Sequence, residues 1–242
     1  MHGNKEKVFM IVNKKNYSIE FFKNSKLVVH PENIGRPLNL ENFKGKHLEL
    51  ERKYHLKESL KEIKIDGEIL EFGVYKGGSI NIIAETFKNK IVHGFDSFEG
   101  LPEDWPILYI DKINPENIKH KKGFFVLDVL PKVMKNVKLW KGWFKDSIPE
   151  YIEKCQPKQI AFLHIDGDLY SSARTSLFEL EKYIVKDTII TFDEIYPFGR
   201  KAYQTWEDGE YKALKEFTLH FDREFEVLSH NLHQQSTIRI IK

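Results

Sequence analysis

Residues 160–170 read IAFLHIDGDLY, and this stretch decides how the rest of the chain can be arranged. Its first half is apolar, and it ends in Asp166 and Asp168 on either side of Gly167. An apolar run that stops at a glycine between two acids predicts a buried strand that ends at the edge of a sheet. In an open parallel sheet, ligands bind outside the carboxyl ends of the strands. The two aspartates are therefore expected to face a ligand.

A second stretch of the same kind, TIITFDE at residues 188–194, ends in Asp193 and Glu194. Neighbouring strands lie about 4.8 Å apart, so two such strands side by side would bring four carboxylates together. Mutual repulsion makes that cluster costly unless a cation or a shared proton compensates it. Asp166 and Asp168 would point the same way on a continuing strand, and Gly167 would let the backbone bend and aim them separately.

Length and composition are those of a single α/β domain: 242 residues, of which 41% are hydrophobic and 31% charged. The net charge is +2 without a basic run, so we expect no nucleic-acid partner. Cys155 is the only cysteine, which favours a reducing compartment. The apolar run at residues 8–12 is too short for a signal peptide, and no segment reaches the roughly 20 apolar residues of a membrane span. We therefore expect a cytoplasmic protein without membrane contact.

The chain divides into a β-rich N-terminal extension, residues 1–45, and one α/β domain, residues 46–242. Three short β-type runs, VFMIV, YSIEFF and KLVVH, fill the extension and make it a plausible homodimer element. The larger part alternates strands and helices, including a helix over 129–135, and closes with a hairpin at 225–230 and 236–241. This order predicts a mostly parallel sheet with an antiparallel edge. Residues 98–122 are poorly patterned, as in a lid or binding loop.

A glycine-containing loop at residues 71–79, EFGVYKGGS, follows a strand and opens a helix. Glycines let the backbone approach a ligand closely, and a helix N-terminus offers free N–H groups, although such a turn can also be purely structural. It is not the dinucleotide fingerprint, because Tyr75 stands where pyrophosphate contact needs glycine. Asp96 ends the next strand at about the spacing of a ribose-binding acid. S-adenosylmethionine, a nucleoside cofactor without a pyrophosphate, fits this combination.

Five motifs together resemble those of the class I S-adenosylmethionine-dependent methyltransferases, and more narrowly the macrocin O-methyltransferase group. They occur in the family's order over roughly residues 65–200, and they are EFGVYKGGS (71–79), GFDSFEGLPE (94–103), KGWFKDSIP (141–149), LHIDGDLYSS (163–172) and FDEIY (192–196). The resemblance implies a seven-stranded, mostly parallel sheet with helices on both faces.

The resemblance also implies roles for individual residues. By this resemblance the cofactor would be bound by Glu71, Gly73, Gly77 and Ser79. Its ribose would lie on Asp96 and Ser97, and its adenine near Gly142, Trp143 and Phe144. The resemblance implies that a magnesium ion is bound by Asp166, Asp193 and Glu194, and that Asp168 is the general base. Glu194 departs from the family, which usually has a second aspartate there, and octahedral magnesium geometry is demanding.

These residues predict a magnesium-dependent O-methyltransferase that acts on a hydroxyl of a sugar or a glycosylated metabolite. A sugar hydroxyl is a poor nucleophile, which magnesium can orient while a carboxylate takes its proton. One alternative makes Asp166–Gly167–Asp168 the DxD metal site of a nucleotide-sugar glycosyltransferase, which leaves the glycine loop unexplained. Another is a non-catalytic module with the same fold, against which the four carboxylates argue.

Several residues near these motifs also have structural interpretations. Asp168 would then cap the following helix. His164 is expected to be a hydrogen-bonded core histidine rather than a catalytic base. Glu210 could face the site, but an exposed acid on a helix is the favoured interpretation. Trp105, in the lid-like loop, is as well explained by covering the ligand as by packing alone.

Overall fold

A computed structural model of the chain describes residues 25–33, 46–105, 108–109, 120–195, 200–201, 209–231 and 234–242. The predicted strands at 8–12 and 17–22 lie outside these residues, as does most of the predicted lid-like loop. No helix within the described ranges combines the length and apolar character that a membrane span requires.

The strands form one large mixed sheet and one small ribbon. Their bounds are β1 Lys26–Val28, β2 Glu68–Phe72, β3 Val92–Asp96, β4 Leu108–Tyr109, β5 Val137–Lys141, β6 Ile160–Ile165, β7 Ile184–Phe192, β8 Arg200–Lys201, β9 Phe225–Asn231 and β10 Ser236–Ile240. The large sheet has the order β1-β9-β10-β7-β6-β2-β3-β5, and β4 pairs with β8 in the ribbon. Strand β10 runs antiparallel to β7 and β9, whereas the other pairs in the large sheet are parallel.

The predicted α/β fold is confirmed, but the predicted count of seven strands is wrong. Among the described residues the large sheet has eight strands. The additional strand is β1, which pairs in parallel with β9 and places Lys26 opposite Ser229. A β-rich segment before the domain can supply this strand because the edge of β9 offers unpaired backbone groups.

In the described part of the chain, five α-helices cover the two faces of the sheet, namely α1 Lys46–Leu60, α2 Gly78–Thr86, α3 Phe144–Cys155, α4 Tyr170–Glu179 and α5 Glu210–His220. Short 3₁₀ helices occur at Pro31–Asn33 and Glu181–Tyr183. One core cluster contains residues of α3, α4 and α5, and a second contains residues of α1 and α2. Helices therefore pack on both faces, as predicted.

The helix predicted over residues 129–135 is wrong, because this segment is irregular. Pro131 lies in its middle and disfavours helical geometry at the preceding residue. Val129 and Leu130 do not pack into the core and remain 79% and 48% exposed. An apolar composition alone was therefore not sufficient to form a helix here.

Strand β6 lies in the interior of the large sheet, between β2 and β7, and all six of its residues are buried. Parallel strands that are covered on both faces carry continuous apolar runs, which explains the IAFL sequence. The parallel register aligns the carboxyl ends of β2, β3, β6 and β7 at one edge of the sheet. The glycine loop and the acid-tipped segments follow these ends, so the fold brings them together.

Helix α1 packs on the sheet through polar as well as apolar side chains. Leu56 and Leu60 belong to the core, while Ser59 Oγ lies 2.6 Å from Thr237 Oγ1. His55 Nε2 lies 3.1 Å from Ser229 Oγ, and all of these polar side chains are buried. The burial of its imidazole lowers the pKa of His55 to about 3. A neutral histidine and paired hydroxyls thus fix this helix beside the functional edge.

Candidate active site

A cavity of about 910 Å³ opens at the carboxyl ends of the central strands. One side is formed by the glycine loop, residues 73–79, and the other by the acidic cluster, which we define as Asp166, Asp168, Asp193 and Glu194. This position at the strand ends is where open α/β sheets bind their ligands. The cavity is the candidate active site.

Close contact between two chain segments shapes the glycine loop. Gly73 has φ +95°, and a Cβ atom there would lie 1.8 Å from the carbonyl oxygen of Asp166. Gly77 has φ +80° and precedes the first residue of α2. By contrast, a Cβ at Gly78 would have nothing within 4 Å. The first two glycines are therefore required by the fold, whereas Gly78 leaves open space beside the cavity.

Asp96 orders the glycine loop through its carboxylate. Oδ2 accepts the backbone N–H groups of Val74 and Tyr75 at 2.9 and 2.8 Å. Oδ1 accepts the N–H of Phe98 at 2.7 Å. A carboxylate has about four acceptor positions, so Oδ1 keeps capacity for a ligand hydroxyl. Asp96 thus binds the loop while it lines the cavity.

The structure divides the sequence-predicted cofactor residues into two groups. Those that line the cavity are Gly73, Ser79, Asp96, Ser97, Trp143 and Phe144. Glu71, Gly77 and Gly142 lie outside its lining. Glu71 is fully buried below the cavity, where its Oε1 lies 2.8 Å from His164 Nδ1.

His164 is buried and hydrogen-bonded, as a core histidine would be, yet it also lines the cavity. Burial alone would lower its pKa, but the hydrogen bond and the charge of Glu71 raise it above the ordinary value. Its Nε2 has no hydrogen-bond partner and lies 4.0 Å from Asp193 Oδ1. The Glu71–His164 pair therefore supports the acidic cluster from below.

The segment after β6 turns sharply at Asp168, which has φ 61°. Aspartate tolerates this left-handed conformation better than most residues. Gly167 is needed for space instead, because a Cβ there would lie 2.9 Å from the Cβ of Ser172. Helix α4 has Leu169 as its N-cap residue, so the interpretation of Asp168 as the helix cap is wrong.

The acidic cluster contains two overlapping groups of possible metal ligands. Carboxylate oxygens of Asp166, Asp168 and Glu194 lie within 4.8 Å of one another. Atoms of His164, Asp166 and Asp193 form the second group under the same limit. The resemblance implied Asp166, Asp193 and Glu194 as the magnesium ligands. Asp166 belongs to both groups, Asp193 to the second and Glu194 to the first. Oxygen-rich groups of this kind are the ligands that Mg²⁺ prefers.

A guanidinium from helix α1 contacts the acidic cluster. Arg52 Nη2 lies 3.2 Å from Asp166 Oδ2 and 2.5 Å from Asp193 Oδ2. The charge of Asp193 is the largest cause that raises the pKa of Arg52 above its ordinary value. The sequence interpretation did not include this residue. The sequence held one indication of its role: it is an arginine in a chain where most basic residues are lysines, and it lies on the predicted helix before the glycine loop.

Glu194 is held by Glu210 and Gln234, and the sequence interpretation did not include Gln234 or its neighbour Gln235. Its backbone N–H donates to Glu210 Oε2 at 2.9 Å, and its Oε1 accepts from Gln234 Nε2 at 3.1 Å. Gln235 donates a hydrogen bond to Asp193. The expectation that Glu210 is exposed is wrong, because this side chain is fully buried against β7's end. Glu194 Oε2 is buried without a hydrogen-bond partner, so it is available to a cation.

Burial and mutual repulsion make the acidic cluster hold protons tightly. Desolvation, reinforced by the charge of Asp193, raises the pKa of Asp166 to about 7. Burial likewise raises the pKa values of Asp168, Glu194 and Glu210 well above the ordinary carboxyl range. A divalent cation would reverse these shifts, because it favours the ionised carboxylates.

The described parts of the predicted lid-like loop form one wall of the cavity. Trp105 is only 6% exposed and packs with Leu101, Leu169 and Phe125 in a small apolar cluster. Its ring stacks on His120, with 5.5 Å between the ring centroids. Trp105 therefore packs into the wall and also lines the cavity.

Comparisons with known proteins identify a family and a shared fold. The sequence profile described as macrocin O-methyltransferase (TylF) matches residues 46–219. The structure is similar to that of CalS11, a calicheamicin methyltransferase, with a TM-score of 0.58 and 21% identity over 83% of this chain and 82% of that one. It is also similar to the O-methyltransferase NovP, with a TM-score of 0.57 and 18% identity over 80% and 81%.

A second CalS11 structure, described as an apo TDP-rhamnose 3′-O-methyltransferase, gives a TM-score of 0.53 at 20% identity, with 83% of each chain covered. No curated protein matches the sequence. At these identities the solved structures show a shared fold, while the profile match covers more than half of the chain.

Proposed function

The chain belongs to the macrocin O-methyltransferase family, and we propose that it methylates a hydroxyl of a sugar or glycosylated metabolite with the help of Mg²⁺. Members of this family are S-adenosylmethionine-dependent methyltransferases, and the fold of this chain is the same. The observation that supports the finer proposal is the meeting of the glycine loop and the acidic cluster in one cavity. One side suits a nucleoside cofactor and the other suits a hydroxyl that must lose its proton.

We assign the methyl donor to the side of the cavity formed by the glycine loop. Asp96 Oδ1 has an acceptor position left for a ribose hydroxyl, and Ser97 lies next to it in the lining. Trp143 and Phe144, at the start of α3, provide aromatic surface for the adenine. Ser79 and the open space at Gly78 lie at the start of α2. Glu71 then acts through His164 rather than by contact with the donor.

The acidic cluster fits a magnesium ion by the chemistry of its donors. Asp166, Asp168 and Glu194 offer carboxylate oxygens within 4.8 Å of one another, and Glu194 Oε2 is buried without a partner. Asp193 adds a further carboxylate next to Asp166. When bound, Mg²⁺ would orient the acceptor hydroxyl and stabilise the negative charge that develops on it.

Asp168 is the residue that we assign as the general base. It lines the cavity, and its left-handed backbone separates it from the strand direction of Asp166. Without a metal ion its pKa is raised, by burial first and then by the charge of Asp166. With Mg²⁺ on the neighbouring carboxylates, Asp168 would be ionised and could accept the proton of the hydroxyl. Methyl transfer itself then requires mainly the alignment of donor and hydroxyl.

A radiolabelled methyl-transfer assay tests this function. The purified protein is incubated with methyl-labelled S-adenosylmethionine and a panel of nucleotide sugars and glycosides, once with Mg²⁺ and once with EDTA. We expect label in a sugar-bearing acceptor, with at least tenfold less label in EDTA. Equal transfer in both conditions would contradict the magnesium part of the proposal alone.

The same panel tests the two alternatives. If nucleotide sugars with Mn²⁺ raise the melting temperature while S-adenosylhomocysteine does not, the DxD glycosyltransferase interpretation is favoured. If S-adenosylhomocysteine binds but no acceptor gains label, the result favours the non-catalytic module. Label on an amine or a carboxylate would retain the methyltransferase and correct the acceptor class.

A further inference from the structure

Arg52 occupies a position in the acidic cluster that a metal ion would also need. Its Nη2 lies 3.2 and 3.3 Å from the two carboxylate oxygens of Asp166, and 2.5 Å from Oδ2 of Asp193. Two of the three carboxylates carried over as magnesium ligands are thus already paired with a cation. Such charge-assisted bonds are among the strongest that side chains make.

Arg52 and a divalent cation compete for the same oxygens. A guanidinium donates hydrogen bonds to carboxylate lone pairs, and a metal ion uses those lone pairs for coordination. Both carry positive charge, so they also repel each other in a site with little water. Without a cation or a proton, however, Asp166 and the buried Asp193 would be neighbouring like charges. When both carboxylates are ionised the cluster needs a cation, which either the guanidinium or a metal ion can supply.

We propose that Arg52 is an exchangeable counter-ion of the acidic cluster, which must withdraw from Asp166 and Asp193 before a divalent cation binds there. The residue thereby sets the metal affinity of the site and holds the carboxylates in place while the metal is absent. This inference rests on the magnesium part of the proposed function. It adds a residue from α1, outside the motifs that carry the family resemblance.

The surroundings of Arg52 permit this exchange without movement of the helix. Its side chain is 41% exposed, so the guanidinium has a path into solvent. The helix itself stays anchored through the buried Ser59–Thr237 contact.

Metal titration of matched variants tests the proposal. Isothermal calorimetry with Mg²⁺ and with Mn²⁺ is performed on the wild type, on Arg52→Gln and on Lys53→Gln. Lys53 is the control because it removes one positive charge from the next position, where the side chain pairs with Glu49 rather than with the cluster. We expect Arg52→Gln to bind both metals at least tenfold more tightly, and Lys53→Gln to stay within threefold of the wild type.

The outcomes separate this inference from the proposed function. Metal binding to all three proteins with similar affinity would overturn the role of Arg52 and leave the magnesium site intact. A similar gain in both variants would overturn it too, since the effect would then be general electrostatics. Binding to none of them would overturn the magnesium site and the inference with it.

A measurement on the wild type keeps the test valid if Arg52→Gln does not fold. The Nε–H resonance of Arg52 is recorded by ¹⁵N NMR and assigned by its absence in Arg52→Lys, which retains the charge. On addition of Mg²⁺ we expect this resonance to shift and its hydrogen exchange to accelerate at least several-fold. An unchanged resonance at saturating Mg²⁺ would overturn the proposal.

Discussion

The two sides of the cavity are held in place by different forces. The glycine loop is fixed by its backbone, through the Asp96 carboxylate on three N–H groups and the close approach of Gly73 to Asp166. The acidic cluster is fixed by side chains, through Arg52, Gln234, Gln235 and the buried Glu210. The close approach of Gly73 to Asp166 does not depend on protonation or on a metal ion, whereas the contacts among the charged side chains of the acidic cluster do.

This difference indicates which side would bind the cofactor and which would act on the acceptor hydroxyl. A rigid loop presents the same surface to every donor molecule, which suits a cofactor that is used in each turnover. A cluster of carboxylates with raised pKa values responds to protons and cations, which suits the step at the acceptor hydroxyl.

Gly73→Ala should have the largest effect, because a Cβ atom would lie 1.8 Å from the carbonyl oxygen of Asp166 in a left-handed backbone. Strain and overpacking together should cost at least about 3 kcal/mol of unfolding free energy. Chemical denaturation measures this cost. Gly78→Ala is the matched control and should keep its stability, since nothing lies within 4 Å of that Cβ. Equal stability of both variants would contradict the backbone account.

Asp96→Asn should weaken the glycine loop next, because the amide nitrogen cannot accept a hydrogen bond. At least one of the N–H groups of Val74, Tyr75 and Phe98 would lose its acceptor, at a cost of about 1–3 kcal/mol. We expect the affinity for S-adenosylhomocysteine to fall about 10- to 100-fold in calorimetry. Asp104→Asn, an exposed aspartate in the following loop, should leave it unchanged.

Without metal, stability should fall as the pH rises towards 8. The pKa of Asp166 is raised from 3.8 to about 7 by burial and by Asp193, so between these values the folded chain holds a proton that the unfolded chain releases. At 1.36 kcal/mol per unit, the loss should be roughly 1–3 kcal/mol between pH 5 and pH 8. Denaturation in EDTA measures it.

Asp166→Asn is the control for this pH dependence, because it removes the titrating group while it keeps the shape of the side chain. The slope of stability against pH should become flatter in this variant. A rise in stability from pH 5 to pH 8 in the wild type would contradict the raised pKa.

Ser59→Ala should have the smallest effect. It removes one buried contact between α1 and β10, and Thr237 keeps its second contact at 3.0 Å to Thr191. The expected cost is about 1 kcal/mol. Leu56→Ala on the same helix should cost about 2–5 kcal/mol, because it also leaves a cavity in the core. Urea denaturation of both compares the polar and apolar contributions to the docking of α1.

The features that could be predicted from the sequence are those that depend on local residue patterns. The buried strand at 160–165, the glycine loop and the meeting of the acidic segments all follow from apolar runs, glycines and the parallel order of strands. The helix at 129–135 was wrong because one proline outweighed the apolar composition. The run KLVVH was predicted as β-type, but its pairing with the large sheet was not, because nothing in a short β-type run indicates which sheet edge it will join.

The side chains that complete the cluster come from distant elements, and so local pattern could not reveal them. Arg52 precedes Asp166 by more than 100 residues, and Glu210, Gln234 and Gln235 follow it. Glu210 has the sequence context of an exposed helix acid, yet it is buried and its carboxylate accepts the N–H of Glu194. Contacts of this kind are determined by tertiary packing.

The turnover of Asp168→Asn tests the central claim most directly. It is measured with saturating methyl-labelled S-adenosylmethionine, Mg²⁺ and the best acceptor of the panel, beside the wild type and the exposed control Asp128→Asn. We predict a fall in turnover of about 10²- to 10⁴-fold for Asp168→Asn, with S-adenosylhomocysteine affinity within threefold of the wild type and Asp128→Asn unaffected. Turnover within threefold of the wild type would contradict the assignment of Asp168 as the base.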